Sequence, residues 1–263
     1  MINQRNWDEL TDSFRSGKPY NHVVIDNFWS EEVATQLTAE YPNFNDEFWY
    51  YYKNLIEDKK TCNQWDRFPS LTYQAFSYLN SSEFVGIVER ITGQPSVKPD
   101  VGLHGGGWHI HGTGGKLNIH LDYSIHPKLK LERHFNLIIY MTPDWDPAWG
   151  GGLELWSHNH ETNQPKELVT RVENRFNRAV IFDTTQYSWH GLPDDLNCPT
   201  DVCRKSMAVY YLTDPATSAD PRGRALFAPH KDQANNPDVL ELIKLRSDSA
   251  TVSTAYKWQA DNK

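Results

Sequence analysis

The stretch Leu117-Asn118-Ile119-His120-Leu121-Asp122-Tyr123 alternates apolar and polar residues with a period of two. That is the pattern of a β-strand with one face in an apolar core. Strand side chains alternate faces, so Asn118, His120 and Asp122 project together, opposite Ile119 and Leu121. An imidazole beside a carboxylate on one face is a pair able to hold a metal ion. Outward from this stretch the same texture recurs. Residues 135–141, 153–156, 179–182 and 206–212 read as short strands, with glycine-rich turns at 105–107, 114–115 and 150–152. Short strands at such spacing point to an antiparallel sandwich, barrel or jelly roll.

The texture differs before residue 95. Residues 22–25 read as a strand. Ser30-Glu31-Glu32 ahead of Val33 and Leu37 reads as a helix start. Ser82-Glu83 opens a second helix whose apolar positions run to Ile91, with Gly93 at its C-terminal cap. After Asp214 come a Pro/Arg loop and one further helix over 238–246. The expectation is a mainly β protein with flanking helices (α+β) forming a single domain. It comprises a buttress over 1–99, a jelly-roll core over 100–214 and a C-terminal extension over 215–263.

The 263 residues include 38% apolar and 23% charged ones, too mixed for a disordered or membrane-spanning chain. The net charge of −8 argues against nucleic acid or an anionic membrane as partner. Cys62, Cys198 and Cys203 lack zinc-type spacing and leave an odd thiol, which suits a reducing compartment. The start shows no apolar leader, so a soluble, cytoplasmic protein is expected.

A second His-x-Asp, His230-Lys231-Asp232, has no histidine after it and sits in a polar loop, so it reads as solvated surface. His120 and Asp122 instead have a later partner. Non-haem iron oxygenases hold the metal with two histidines and one carboxylate, leaving other positions open. His190, in Ser188-Trp189-His190-Gly191 just beyond strand 179–182, is the best third ligand. Further on, Arg204-Lys205-Ser206 opens a strand. Alternation places Arg204 and Ser206 on one face, where a guanidinium and a hydroxyl grip a carboxylate.

His120-x-Asp122, His190 and Arg204-x-Ser206, in that order, resemble the Fe(II)/2-oxoglutarate-dependent oxygenase superfamily. The run from Arg133 to Met141, then Pro143-Asp144-Trp145-Asp146, then Gly151-Gly152-Leu153-Glu154-Leu155-Trp156 resembles its prolyl-4-hydroxylase-like branch. The resemblance covers roughly residues 100–214. It implies a double-stranded β-helix, a distorted jelly roll, with Fe(II) on His120, Asp122 and His190. It also implies 2-oxoglutarate held by Arg204, Ser206 and Tyr140, and O2 as the oxidant. A C–H bond of a protein residue, a peptide or a small molecule such as a saccharide would be hydroxylated, with release of succinate and CO2. The segment between His190 and Arg204 is longer than in the members of that branch that act on hypoxia-inducible factor. Its two prolines suggest a loop at the site mouth, and it weakens any analogy of substrate. Asp122 favours hydroxylation or another C–H oxidation, because halogenating relatives lack this carboxylate.

Other candidates carry two readings. Asn118 lines the pocket or bonds a neighbouring group, and His111 within Trp108-His109-Ile110-His111 contacts substrate from a flap or lies in an aromatic strand. Phe48-Trp49-Tyr50-Tyr51-Tyr52 is a stacking platform or core. His158 and His160 read as surface, Asp144-Trp145-Asp146 as a structural turn, and Cys198 and Cys203 as loop cysteines able to pair. The competing function is a catalytically silent jelly-roll module with a structural metal. Structural zinc sites are closed by a fourth protein ligand, and a silent module needs no carboxylate anchor such as Arg204.

Overall fold

The computed structural model describes residues 1–185, 187–248, 250, 251, 253 and 255. Four helices come early: α1 (Glu9–Ser16), α2 (Glu31–Ala39), α3 (Ser70–Leu79) and α4 (Ser82–Thr92). Among and after them run β1 (His22–Ile25), β2 (Tyr50–Lys53), β3 (Glu57–Cys62) and β4 (Lys98–Pro99). The next strands are β5 (Gly107–His111), β6 (Lys116–Leu121), β7 (Glu132–Tyr140), β8 (Leu153–Asn159) and β9 (Gln164–Val172). The chain continues through β10 (Ala179–Asp183), β11 (Trp189–Leu192), β12 (Arg204–Thr213) and β13 (Leu226–Phe227) to α5 (Pro237–Ser247).

These strands form one antiparallel sheet in the order β1-β10-β7-β12-β5-β3-β6-β11-β8-β9, with β2, β4 and β13 attached at its margins. The sheet folds over on itself as a double-stranded β-helix. Alternation along the central strands decides what each face meets. Met207, Val209 and Tyr211 of β12, and Leu137 and Ile139 of β7, belong to the main apolar core shared with the helices. Ser206, Ala208 and Tyr210, with Asn136 and Ile138, face the opposite way, into a cavity. The helices seal the outer face through rings: Phe14 meets Phe135 edge-on at 5.9 Å, and Phe84 meets Phe28 at 5.8 Å.

Two predicted helix starts are capped by serine. Ser30 accepts from the Val33 amide of α2, and Ser81 from the Phe84 amide of α4, one residue before the predicted cap. Gly93 ends α4 with φ of 70°, where a Cβ would be strained. The aromatic run at 48–52 divides: Trp49 is buried, whereas Tyr50 in β2 is exposed. Among the described residues, no helix is long and apolar enough to cross a membrane.

Candidate functional site

His120 and His190 are direct partners across the antiparallel pair β6–β11. Their rings therefore lie side by side, 4.4 Å apart. Asp122 falls just past the end of β6, a correction to the predicted strand over 117–123, and it still turns to the same side. Its Oδ1 is 3.8 Å from His120 Nε2, and its Oδ2 is 3.7 Å from His190 Nε2. All three ligand atoms lie within 4.8 Å of one another, and no fourth His, Cys, Asp or Glu joins them among the described residues. His190, just beyond β10, sits in a strand of its own, β11.

The backbone fixes the ring tautomers. His120 Nδ1 lies 2.9 Å from the Asn118 carbonyl, and His190 Nδ1 lies 2.8 Å from the Ser188 carbonyl. A carbonyl only accepts, so each Nδ1 carries the proton and each Nε2 turns a lone pair toward the cluster. Burial lowers both histidine pKa values, His120 to about 3, with His190 adding like-charge repulsion to it. Both rings are thus neutral near pH 7. Burial opposes the charged form of Asp122, but Arg133, His190 and His120 together hold its carboxyl below the usual range. Oδ2 of Asp122 is buried without a hydrogen bond. Two neutral imidazole lone pairs and an ionised, under-satisfied carboxylate are a donor set that fits a divalent metal ion.

Arg133 is missing from the sequence-based candidates. It is fully buried, lies between the Tyr123 and Tyr210 rings at 3.5 and 3.4 Å, and reaches Asp122 Oδ1 at 3.5 Å. Its Nη2 donates to the His104 carbonyl at 2.5 Å and to the Tyr123 hydroxyl. The turn that supplies this carbonyl is tied by Asp100, which accepts from the Gly102 and His104 amides.

The cavity above the cluster has a volume of about 700 Å³. Arg204 and Ser206 both line it, as alternation in the strand predicts. Arg204 is 2% exposed, and no carboxylate lies within 4.0 Å of it among the described residues. Its Nε donates to the Gly151 carbonyl at 2.7 Å, and its guanidinium stands 5.0 Å from the Tyr140 ring centre. Burial lowers the Arg204 pKa but leaves a group that stays protonated at any ordinary pH. A buried cation without a counter-ion, opening on a cavity, is an anchor for an anion. Beside it His111, the strand partner of Arg204, is 2% exposed and has no hydrogen bond at either ring nitrogen. His111 lies in β5, between strands β12 and β3, so the flap reading of residues 108–111 gives way to a central strand. Asn136 Oδ1, also on the cavity wall, is buried and unpartnered too.

Asn118 does not line the cavity. Its amide nitrogen donates to the Ala228 carbonyl and to Gln233 Oε1 at 2.7 Å, pinning the C-terminal segment to β6. That segment forms a wall the sequence reading did not foresee. Phe227 of β13 pairs with His120 across the strands and stacks on its ring at 5.1 Å and 22°. Arg222 donates to the Asp122 carbonyl at 2.9 Å. Arg246 of α5 stands 5.1 Å from the Phe227 ring centre and forms an ion pair with buried Glu57 of β3. His158, expected at the surface, is half-buried and accepts from Trp189 Nε1 at 2.9 Å. His230 contacts Asp194 at 3.4 Å and Asp232 at 2.5 Å, away from the cluster. The three cysteines are free thiols.

Residues 106–213 match the family model described as the 2OG-Fe(II) oxygenase superfamily. Prolyl 3-hydroxylase OGFOD1 of Xenopus laevis is 30% identical over 119 residues, which are 42% of this chain and 23% of that protein. The match thus spans about a quarter of the relative's length. A prolyl hydroxylase of Trichoplax adhaerens, in complex with a hypoxia-inducible factor oxygen degradation domain peptide, superposes with a TM-score of 0.55 at 16% identity. The match covers 80% of this chain and 94% of that one. HygX of Streptomyces hygroscopicus, with nickel, 2-oxoglutarate and hygromycin B bound, superposes with a TM-score of 0.51 at 12% identity, over 78% of this chain and 86% of that one. The fold is shared with both solved structures, and the segment 106–213 is similar to the 2OG-Fe(II) oxygenase superfamily.

Proposed function

We propose that this chain is an Fe(II)- and 2-oxoglutarate-dependent dioxygenase that hydroxylates an unactivated C–H bond. The observation that carries the reading is one cavity that joins the His120–Asp122–His190 cluster to an unpaired, buried Arg204. A structural metal site would leave that buried charge without a purpose.

His120 and His190 hold the metal through Nε2, and Asp122 through its carboxylate. When bound, the iron with 2-oxoglutarate and O2 supplies the oxidising power, with succinate and CO2 as co-products. Arg204 neutralises the far carboxylate of 2-oxoglutarate, Ser206 donates a second hydrogen bond to it, and Tyr140 packs beside the guanidinium. His111 offers one donor and one acceptor to the same ligand or to the substrate. Arg133 keeps Asp122 ionised and aimed, and the Asn118 and Ser188 carbonyls keep the two rings in the ligating tautomer. The fold walls, from Phe227 to Leu153, limit the entry of water around the reacting groups.

The target is a prolyl residue of a protein or peptide, a reading supported by the prolyl 3-hydroxylase relative and the peptide-bound structural neighbour. The test is succinate formation from 2-oxoglutarate with Fe(II) and O2, across prolyl peptides, amino acids and saccharides. Wild-type turnover that disappears in His120→Ala and Asp122→Ala is the expected result. A protein that takes up Fe(II) yet shows no visible absorption change on anaerobic addition of 2-oxoglutarate would sink the proposal.

A further inference from the structure

The charge of the cavity runs against that of the molecule. The chain carries a net −8, yet the cavity lining holds six basic side chains and three acidic ones. The acids are Glu47, Glu57 and Asp122. Glu57 is consumed by Arg246 and by Lys59 at 3.5 Å, and Asp122 by Arg133. Glu47 is exposed at the mouth. Arg67, also exposed, turns its guanidinium to the Phe48 carbonyl at 2.6 Å. Besides Arg67, two arginines of the lining have no carboxylate within 4.0 Å among the described residues: Arg204 in the depth and Arg224 in the wall contributed by the C-terminal segment. A divalent metal and a 2-oxoglutarate dianion cancel each other, so loading the site leaves the positive surplus in place.

We infer that the substrate carries a carboxylate, and that this group docks on Arg224 at the outer wall while the reacting carbon lies nearer the His120–Asp122–His190 cluster. The inference rests on the oxygenase reading and names the substrate class for that site. Arg224 is half-buried, so its field is less screened than that of a surface arginine, and low-dielectric walls focus it along the cavity. The histidines of the wall register the same field. Burial first, and then Arg133, His126, Lys128 and Arg224, bring His104 down to about 4, while burial, Lys59 and Arg204 bring His109 to about 3. Arg222, two residues before Arg224, is occupied by Asp220 and the Asp122 carbonyl, which leaves Arg224 as the free cation of the Arg222-Gly223-Arg224 turn.

The carboxylate belongs either to an acidic residue flanking a target proline or to a small amino acid or related acid. Binding is measured without O2 on protein loaded with Fe(II) and 2-oxoglutarate, by the change in tryptophan fluorescence. The probes are a prolyl heptapeptide flanked by glutamates, the same peptide flanked by lysines, N-acetylproline and N-acetylprolinamide. The acidic member of at least one pair is expected to bind about tenfold more tightly, equivalent to about 1.4 kcal/mol. The peptide pair showing the difference identifies a polypeptide source, and the proline pair a small-molecule source. Arg224→Gln should close the gap, Arg224→Glu reverse it and Arg224→Lys keep most of it, with unchanged melting temperatures.

The inference is overturned if wild-type protein binds no probe, shows no charge preference, or keeps its preference in Arg224→Glu. Binding of 2-oxoglutarate alone separates the two levels. Its loss in wild-type protein defeats the oxygenase reading, whereas its retention in wild type and all Arg224 variants, without a charge preference, defeats only the substrate class.

Discussion

The Phe227 ring lies flat against His120, 5.1 Å from its centre and 22° from parallel, so a residue beyond the matched family segment braces a candidate metal ligand. Phe227→Ala removes that brace and opens a void. We expect a stability loss of about 3–5 kcal/mol and metal affinity lower by roughly 10–100-fold. Titration of the metal-free variant with Co(II), followed by absorption, checks this. Wild-type affinity in a folded variant would mean that the stacking is packing alone.

Arg133 and Asp122 form a buried charge pair. In Arg133→Met the carboxylate loses its nearest cation, and the metal-free protein should lose about 3–5 kcal/mol of stability. A bound divalent ion replaces the missing positive charge, so the loss should shrink when Zn(II) is added. Denaturant melts of both forms, with and without the ion, measure the difference. Equal losses in the two states would contradict the role given to Arg133.

Arg204→Gln keeps a hydrogen-bonding side chain but removes the charge. Truncating a buried charged partner of this kind costs about 2–5 kcal/mol of binding. Calorimetry should therefore show 2-oxoglutarate binding weakened by at least about thirtyfold, with Co(II) affinity nearly unchanged. Parallel loss of metal binding would place Arg204 in the scaffold instead.

Glu57 gives a pH signature away from the metal ligands. Burial alone would raise its pKa, but Arg246 and Lys59 outweigh burial and bring it to about 2. The folded pKa lies below the unfolded value near 4.5, so the contribution is full above pH 4.5 and is lost as pH falls toward 2. The shift corresponds to about 3 kcal/mol. Urea melts of the wild type across that window should steepen in their pH dependence relative to Glu57→Gln. Identical slopes would rule out this linkage.

What the sequence made legible was local. The period of two around His120 identified the strand, and the order His120-x-Asp122, His190, Arg204-x-Ser206 marked residues that the fold brings to one cavity. The serine caps and Gly93 located α2 and α4 because a cap is a short-range signal. By contrast α1 and α3 lack a side-chain cap bond, and neither was foreseen. The hairpin of β2 and β3 is built from tyrosines and charged residues, and β9 is an almost wholly exposed edge strand, so neither shows an apolar alternation. Arg133, Phe227, Arg246 and Glu57 matter through contacts between distant parts of the chain, which no local pattern announces. The same reason explains Asn118: where the β6–β11 register shifts, Leu117 rather than Asn118 lines the cavity with His120, and the return of residues 228–233 decided what the Asn118 amide would meet.

The wall built from residues 222–246 has a consequence for biosynthesis. His120 and Asp122 emerge from the ribosome long before the phenylalanine that stacks on one and the arginine that grips the other's carbonyl. A chain folded only as far as β12 therefore displays both candidate ligands on an unfinished rim, and the rim is completed only when residues 222–246 fold back onto β6.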